Sequence, residues 1–118
     1  MLADSRQGIW MAELSKVGLV GFINVGACKL PVENCEQTAG EVQQLYVLAQ
    51  FHNSGLGTRL MKTGLEWLDS QQRTPVYVGV WSENYGAQRF YERYGFIKVG
   101  EYEFLVGNTV DREFILKR

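Results

Sequence analysis

Residues 45–60 read LYVLAQFHNSGLGTRL, and this is the most informative stretch of the chain. An apolar strand runs into a turn that contains Gly55 and Gly57, and the turn opens directly into a helix. The first N–H groups of a helix have no partner inside the helix and carry a partial positive charge. Because glycine lets the backbone approach a ligand closely, the pattern indicates a phosphate site built from backbone amides.

Two familiar phosphate loops do not match this turn. No Gly-Lys-Ser/Thr follows the glycines, as a P-loop requires. The third glycine of the dinucleotide-binding fingerprint is missing, and a strand hairpin precedes the turn. On spacing alone, a phosphate cradle and a purely structural helix start are both open.

The flanking sequence predicts alternating short strands and helices. Apolar residues recur at helical spacing from Leu56 to Leu68, which predicts a helix from about Gly55 to about Gln71 that ends before Pro75. The other predicted elements are strands Ile9–Leu14, Leu19–Val25, Glu41–Ala49 and Val76–Trp81, a loop over 27–40, a helix Asn84–Tyr94, and a hairpin formed by 96–106 and 109–116.

This order is β-β-β-α-β-α-β-β. The central strand–helix–strand unit predicts a right-handed parallel crossover, and the hairpins at both ends predict antiparallel pairing. The fold class is therefore α/β, with a mixed and mostly antiparallel sheet. A chain of 118 residues is expected to form one domain.

Composition narrows the function classes. The net charge of −1 gives no basic face for nucleic acid, and no stretch reaches the roughly 20 apolar residues of a membrane helix. The start of the chain lacks the apolar core of a signal peptide, so we expect a cytoplasmic protein. Cys28 and Cys35 are expected to be free thiols, and the single histidine, His52, leaves no material for a metal site.

A second motif follows at residues 84–96, NYGAQRFYERYGF. Ala87, Phe90, Tyr91 and Tyr94 form a helical stripe, and Gly95 is placed to end the helix. With the Gly55–Gly57 turn, this segment resembles the GNAT family of N-acetyltransferases. That family reads roughly Q/R-x-x-G-x-G/A and then, further along the chain, N-x-x-A-x-x-F-Y-x-x-x-G-F, and the resemblance covers about residues 19–116.

The resemblance implies acetyl-CoA as co-substrate. It implies that strands Glu41–Ala49 and Val76–Trp81 are a central parallel pair, splayed to admit pantetheine. The expected backbone partners of pantetheine are Leu45, Tyr46 and Val47, and the expected pyrophosphate site comprises His52, Asn53, Ser54, Gly55, Leu56, Gly57 and Thr58. His52 stands where the family usually has Gln or Arg, and a coenzyme contact or an exposed loop position is equally open.

The resemblance also implies a direct attack of the amine on the thioester, polarised by a strand amide near residues 45–47. Tyr91 is the expected general acid for the departing thiolate, with core packing as the alternative. Asn84 is expected to cap its helix, to contact the coenzyme, or both.

The general base is the least defined role. Glu41 is the first candidate, on the same alternating face as Gln43 and Leu45 unless a bulge intervenes. The alternatives are that Glu41 is a solvated carboxylate and that Glu83 or water accepts the proton. Arg59, Arg89 and Arg93 are candidates for the coenzyme 3′-phosphate, or simply line solvated helix faces.

The function predicted on this basis is transfer of an acetyl group to a primary amine of a small molecule or peptide. The alternatives are a non-catalytic CoA-binding or regulatory module and a structural interaction protein. Members of the family usually have another strand and two helices before the first strand seen here, and those helices form one wall of the acceptor site. We expect residues 1–118 to be a GNAT-like domain without them, whose acceptor pocket is open, absent or completed by a second subunit.

We predict a homodimer, because an exposed sheet edge invites pairing with another chain. Light scattering coupled to gel filtration should give twice the chain mass at micromolar concentration. A monomer under those conditions contradicts the prediction.

Overall fold

The computed structural model describes residues 7–118. In chain order the elements are β1 (Gln7–Leu14), β2 (Gly18–Ala27), β3 (Gly40–Val47), α1 (Leu56–Ser70), β4 (Val76–Trp81), α2 (Tyr85–Glu92), β5 (Ile97–Val106) and β6 (Thr109–Lys117). The predicted order of strands and helices is confirmed. The third strand ends earlier than predicted, because Ala49–Phe51 form a short 3₁₀ turn.

All six strands belong to one mixed sheet, in the order β1-β2-β3-β4-β6-β5. The pairs are antiparallel except for β3 and β4, which are parallel, as predicted. This central parallel pair is short: it joins Gly40 to Val76, Glu41 to Tyr77 and Val42 to Val78. Both strands then continue unpaired with each other, so a gap opens between their carboxyl ends.

Both helices pack on the same face of the sheet, called here the helix face. Its core contains Leu60, Met61 and Leu68 of α1 and Tyr91 of α2. The strand residues beneath them are Ile23, Val25, Val42, Val76, Val78, Val80 and Leu116. Because side chains alternate along a strand, the residues between these point to the opposite face.

That opposite face, called here the loop face, has a smaller core. Tyr77 and Ile115 lie there with Ala39, and the loop of residues 28–39 packs against them through Leu30 and Val32 among others. The loop therefore covers only the part of this face near the start of β3 and β4. Ile9 and Met11 of β1, on the same face, are 58% and 65% exposed.

A β-bulge in β3 corrects one prediction. The pairing with β2 passes from Asn24↔Gln44 to Val25↔Val42, which leaves Gln43 as an extra residue. Leu45 consequently packs on the helix face with Val42, although three positions separate them. The prediction that Glu41 shares a face with Leu45 is wrong, because the bulge shifts the alternation between them.

The ends of α2 follow the predicted capping pattern. The Asn84 side chain accepts a hydrogen bond from the Ala87 N–H at 3.1 Å, which makes it the N-cap. At the other end the N–H groups of Gly95 and Phe96 donate to the carbonyls of Glu92 and Tyr91. This is a Schellman motif, and Gly95 adopts the left-handed conformation it needs, with φ 88°.

None of the helices in residues 7–118 is both long enough and apolar enough to span a bilayer.

Candidate active site

A cleft of about 530 Å³ occupies the gap between β3 and β4. Its walls come from β3, β4, the adjoining part of β2, and α2. The lining residues are Phe22, Val42, Gln43, Gln44, Leu45, Tyr46, Val78, Gly79, Val80, Trp81, Asn84, Ala87 and Tyr91. The cleft therefore reaches the α2 motif, and none of its lining residues carries a charge.

The edge of β3 offers backbone groups to this cleft. The N–H of Leu48 donates to the carbonyl of Val20 on β2 at 2.9 Å. Since backbone groups alternate in direction along a strand, those of Val47 and Leu45 turn away from β2 and towards β4. β3 and β4 no longer pair at these residues, so the Leu45 and Val47 amides are available to an extended ligand.

The turn before α1 presents a group of unpaired amides. Among residues 7–118, no acceptor faces the backbone N–H groups of Asn53, Gly55, Gly57 and Thr58. Asn53 and Gly55 have positive φ angles of 64° and 86°, which turns successive amides outward. These amides lie at the positive end of a 15-residue helix, so the turn can hold a phosphate without a cationic side chain.

His52 has a defined place in this turn. Its side chain is exposed, and its Nε2 lies 2.8 Å from the carbonyl oxygen of Val47. A carbonyl oxygen only accepts, so Nε2–H donates and ties the turn to the end of β3. His52 is thus an exposed loop residue, and its predicted contact with the coenzyme stays a prediction.

Tyr91 is both a core residue and a cleft residue. Its ring packs against Phe90 and Phe96, with centroids 5.5 and 5.7 Å away. Only 7% of the residue is exposed, yet its hydroxyl has no hydrogen-bond partner in residues 7–118 and is not enclosed completely. Burial raises the pKa of Tyr91 to about 12, so the phenol is protonated at neutral pH.

Asn84 also belongs both to the cap of α2 and to the wall of the cleft. Its Oδ1 caps α2, and the residue lines the cleft. The amide group is thereby held in one orientation at the cleft wall.

Glu41 is buried rather than solvated, so its interpretation as a strand-end surface carboxylate is wrong. It is 7% exposed, and its Oε1 accepts a hydrogen bond from the Lys29 N–H at 2.7 Å. Burial is the main reason that the pKa of Glu41 is raised, and the charge of Glu113 adds to it. Glu41 lies on the loop face next to Val42 and is not itself part of the cleft lining.

The remaining candidates are not among the residues that line the cleft. Glu83, Arg59 and Arg89 are exposed. Arg93 is exposed as well, with its guanidinium 5.5 Å from the centre of the Phe90 ring. Within residues 7–118 there is also no group of three or more His, Cys, Asp or Glu side chains able to hold a metal ion.

Sequence reasoning missed the aromatic side chains at the cleft mouth, since it named Tyr46 only for its backbone. Phe22 and Tyr46 pack together with ring centroids 5.9 Å apart, and Trp81 follows on β4 with 45% of its surface exposed. The signal available was Trp81 itself, a large aromatic residue at the end of a strand directly before the second motif. Phe22 gave no such signal, because a phenylalanine in a strand usually belongs to the core.

Comparison with known proteins places these features in a family. A family model described as "Acetyltransferase (GNAT) family" matches residues 1–96. An uncharacterized N-acetyltransferase of Archaeoglobus fulgidus is 30% identical over 91 residues, which are 77% of this chain and 60% of the relative. Another, from Lactobacillus delbrueckii subsp. lactis, is 25% identical over 104 residues, 85% of this chain and 58% of the relative. The chain thus spans about three fifths of these relatives' length.

Solved structures agree with this fold. Nourseothricin acetyltransferase superimposes with a TM-score of 0.78 at 19% identity, over 95% of this chain and 64% of that protein. A putative streptothricin acetyltransferase from Bacillus anthracis str. Ames, in complex with acetyl coenzyme A, gives 0.76 at 20% identity, over 96% and 62%. At such identities the likeness concerns the fold, which here includes the final hairpin that the family model leaves out.

The buried state of Glu41 has a measurable consequence for stability. A carboxyl whose pKa is raised on folding binds its proton more tightly in the folded state. The protein therefore loses stability as pH rises from the ordinary glutamate pKa, about 4.3, through the raised pKa of the folded state. We expect Glu41→Gln to lack this loss, so that its free energy of unfolding gains on that of the wild type as the pH rises from about 4.3 through the acidic range. Urea unfolding across this range measures the difference, and a difference that stays constant with pH contradicts the burial.

Proposed function

The chain belongs to the GNAT family of acetyltransferases, and from this premise we propose that it transfers the acetyl group of acetyl-CoA to a primary amine. The observation that carries the proposal is the position of two features along the gap between β3 and β4. Unpaired amides at the start of α1 lie at one end of the splay between β3 and β4, and the Tyr91 hydroxyl opens into the cleft between the same strands.

Coenzyme binding follows from the backbone. The pyrophosphate accepts hydrogen bonds from the turn amides, including those of Gly55, Gly57 and Thr58. Pantetheine continues along β3 and pairs with the Leu45 carbonyl and the Val47 N–H, as an added strand would. His52 stabilises the turn through the hydrogen bond from its Nε2 to the Val47 carbonyl.

The transfer itself needs a polarised carbonyl and a neutral amine. The unpaired Leu45 N–H donates to the thioester oxygen and stabilises the negative charge that develops there. The nitrogen lone pair of the amine attacks the carbonyl carbon, and the C–S bond breaks when the intermediate collapses. Glu41 takes the proton of the amine through a water molecule, since its carboxylate adjoins the cleft without lining it.

Tyr91 acts on the leaving thiolate. With a pKa of about 12, the phenol is a weaker acid than an ordinary thiol, whose pKa is about 8.5. Full proton transfer therefore requires that the thiolate be desolvated in the cleft, which raises its own pKa. While the C–S bond is breaking, Tyr91 stabilises the sulfur by donating a hydrogen bond to it.

A second function, binding of CoA without catalysis, is the alternative. The uncharged, open cleft is compatible with it, whereas the free Tyr91 hydroxyl favours catalysis. Release of free thiol from acetyl-CoA in the presence of amines, amino acids, aminoglycosides or peptides separates the two. A homodimer through the exposed β1 edge is also part of our proposal.

The phosphate cradle predicts a selective effect of Thr58→Glu. No acidic residue lies in the first turn of α1, so the new carboxylate interacts favourably with the helix dipole and leaves the fold intact. The same charge repels the pyrophosphate, and we expect the affinity for CoA to fall about tenfold or more, measured by calorimetry.

Thr63→Glu is the matched control, since it places the same charge further along α1 and away from the turn. It should bind CoA like the wild type. Pantetheine, which has no pyrophosphate, should bind equally to all three proteins. If Thr58→Glu binds CoA normally, the cradle is not where the pyrophosphate lies.

Replacing Tyr91 with Phe tests whether the Tyr91 hydroxyl is the general acid. We expect kcat to fall about 100-fold, because a positioned proton donor typically contributes that much or more, while the affinity for acetyl-CoA changes little. Tyr94→Phe, one helical turn away and partly buried against the same core, serves as the control. Unchanged turnover in Tyr91→Phe would remove this tyrosine from the mechanism.

A further inference from the structure

Gly79 connects the cleft to a carboxylate on the loop face. It lies in the middle of β4 and lines the cleft. A Cβ at this position would overlap Oε1 of Glu113 and approach the Leu30 side chain to 3.2 Å. The Glu113 carboxylate therefore lies directly over the Gly79 backbone, an approach that a strand residue with a side chain would prevent.

Glu113 is held in this place by Tyr102. The Tyr102 hydroxyl donates to Oε1 of Glu113 at 2.8 Å, and its ring packs against the loop-face core. Burial, and then the neighbouring carboxylate, raise the pKa of Tyr102 to about 12, so the phenol stays a donor. The carboxylate is thus positioned by a neutral partner that leaves its negative charge in place.

Glu41 lies on the same face, on the neighbouring strand β3. It is close enough to Glu113 for the two charges to repel, since Glu113 is one cause of the raised pKa of Glu41. No lysine, arginine or histidine within residues 7–118 forms an ion pair with either carboxylate. Lys29 donates its backbone N–H to Glu41, and its positive charge lowers the pKa of Glu41, so Glu41 already has a cation near it.

Among residues 7–118 Glu113 forms no ion pair, and its charge and that of Glu41 repel each other, so a further cation is favourable beside Glu113. The outer side of the cleft suits such a cation. Phe22, Tyr46 and Trp81 present aromatic rings there, and ring faces attract ammonium groups. Nothing in the lining would balance the negative charge of a carboxylate-bearing acceptor such as an amino acid.

We propose that the acceptor is a diamine or polyamine, and that Glu113 is the specificity residue that binds its second, non-reacting ammonium group. This inference rests on the proposed function, because it concerns the acceptor of that transfer. One amine loses its proton and attacks the thioester in the cleft. The other stays protonated and forms an ion pair with the Glu113 carboxylate, which Tyr102 holds in position.

Putrescine and n-butylamine separate this proposal from simple amine binding, because they have the same carbon chain and differ by one ammonium group. Each is titrated calorimetrically into the protein saturated with CoA, and each is offered with acetyl-CoA in a thiol-release assay. We expect the wild type to bind putrescine about tenfold more tightly than n-butylamine, and to favour it to a similar extent in kcat/KM.

Glu113→Gln keeps the size of the side chain and its hydrogen bond with Tyr102 but removes the charge. We expect this variant to lose the preference for putrescine, while the affinities for CoA and for n-butylamine stay unchanged. Glu103→Gln is the matched control. Glu103 lies on the same hairpin next to Tyr102 but is exposed and points to the helix face, so the preference should persist.

Equal affinity of the wild type for the two amines, or an unchanged preference in Glu113→Gln, overturns the inference. These outcomes are distinct from failure of the proposed function. If no thiol is released but putrescine binds in a Glu113-dependent manner, the role of Glu113 in binding the second ammonium group is supported and the proposed acetyl transfer is contradicted. If both amines are acetylated equally well, the proposed acetyl transfer is supported and the role of Glu113 in specificity is contradicted. Should CoA itself not bind, the same titration on the free protein decides the role of Glu113.

Discussion

The pairing of β3 with β4 stops after Val42 and Val78, and every feature of the candidate site depends on that early end. Parallel strands that stayed paired to their carboxyl ends would fill their hydrogen bonds with each other and leave no room between them. Here three residue pairs anchor the two strands, and the remaining backbone of β3 faces a cleft. The bulge at Gln43 coincides with the point where the strands part, and a bulge bends its strand.

The two faces of the sheet contribute different chemistry to this cleft. From the helix face come the groups proposed to bind the coenzyme: the amides of the turn before α1, the capped start of α2, and the Tyr91 hydroxyl. From the loop face come the carboxylates Glu41 and Glu113, buried or half-buried beneath the loop of residues 28–39. Because the cleft passes between the strands, a thioester bound within it is accessible from both sides of the sheet.

Burial decides the acid–base character of the site. The rings packed around Tyr91 keep it protonated, and the burial of Glu41 makes its carboxylate a better base than an exposed one. The same burial lowers stability once Glu41 is ionised. At this position a hydrogen bond from the Lys29 N–H keeps the carboxylate in place.

The sequence by itself determined the order of elements, the turn of amides at Gly55 and Gly57, the caps at Asn84 and Gly95, and the candidate acid Tyr91. The elements, the turn and the caps depend on residues within one or two helical turns of each other, so periodicity and capping preferences were enough to find them. The role of Tyr91 was implied by the resemblance to the GNAT family and stays a prediction. The burial of Glu41, the bulge that changes its face, and the approach of Glu113 to Gly79 were decided only by the tertiary structure. They arise where β3, β4, β6 and the loop meet, and the strength of a charge or a hydrogen bond there depends on neighbours that the local sequence does not specify.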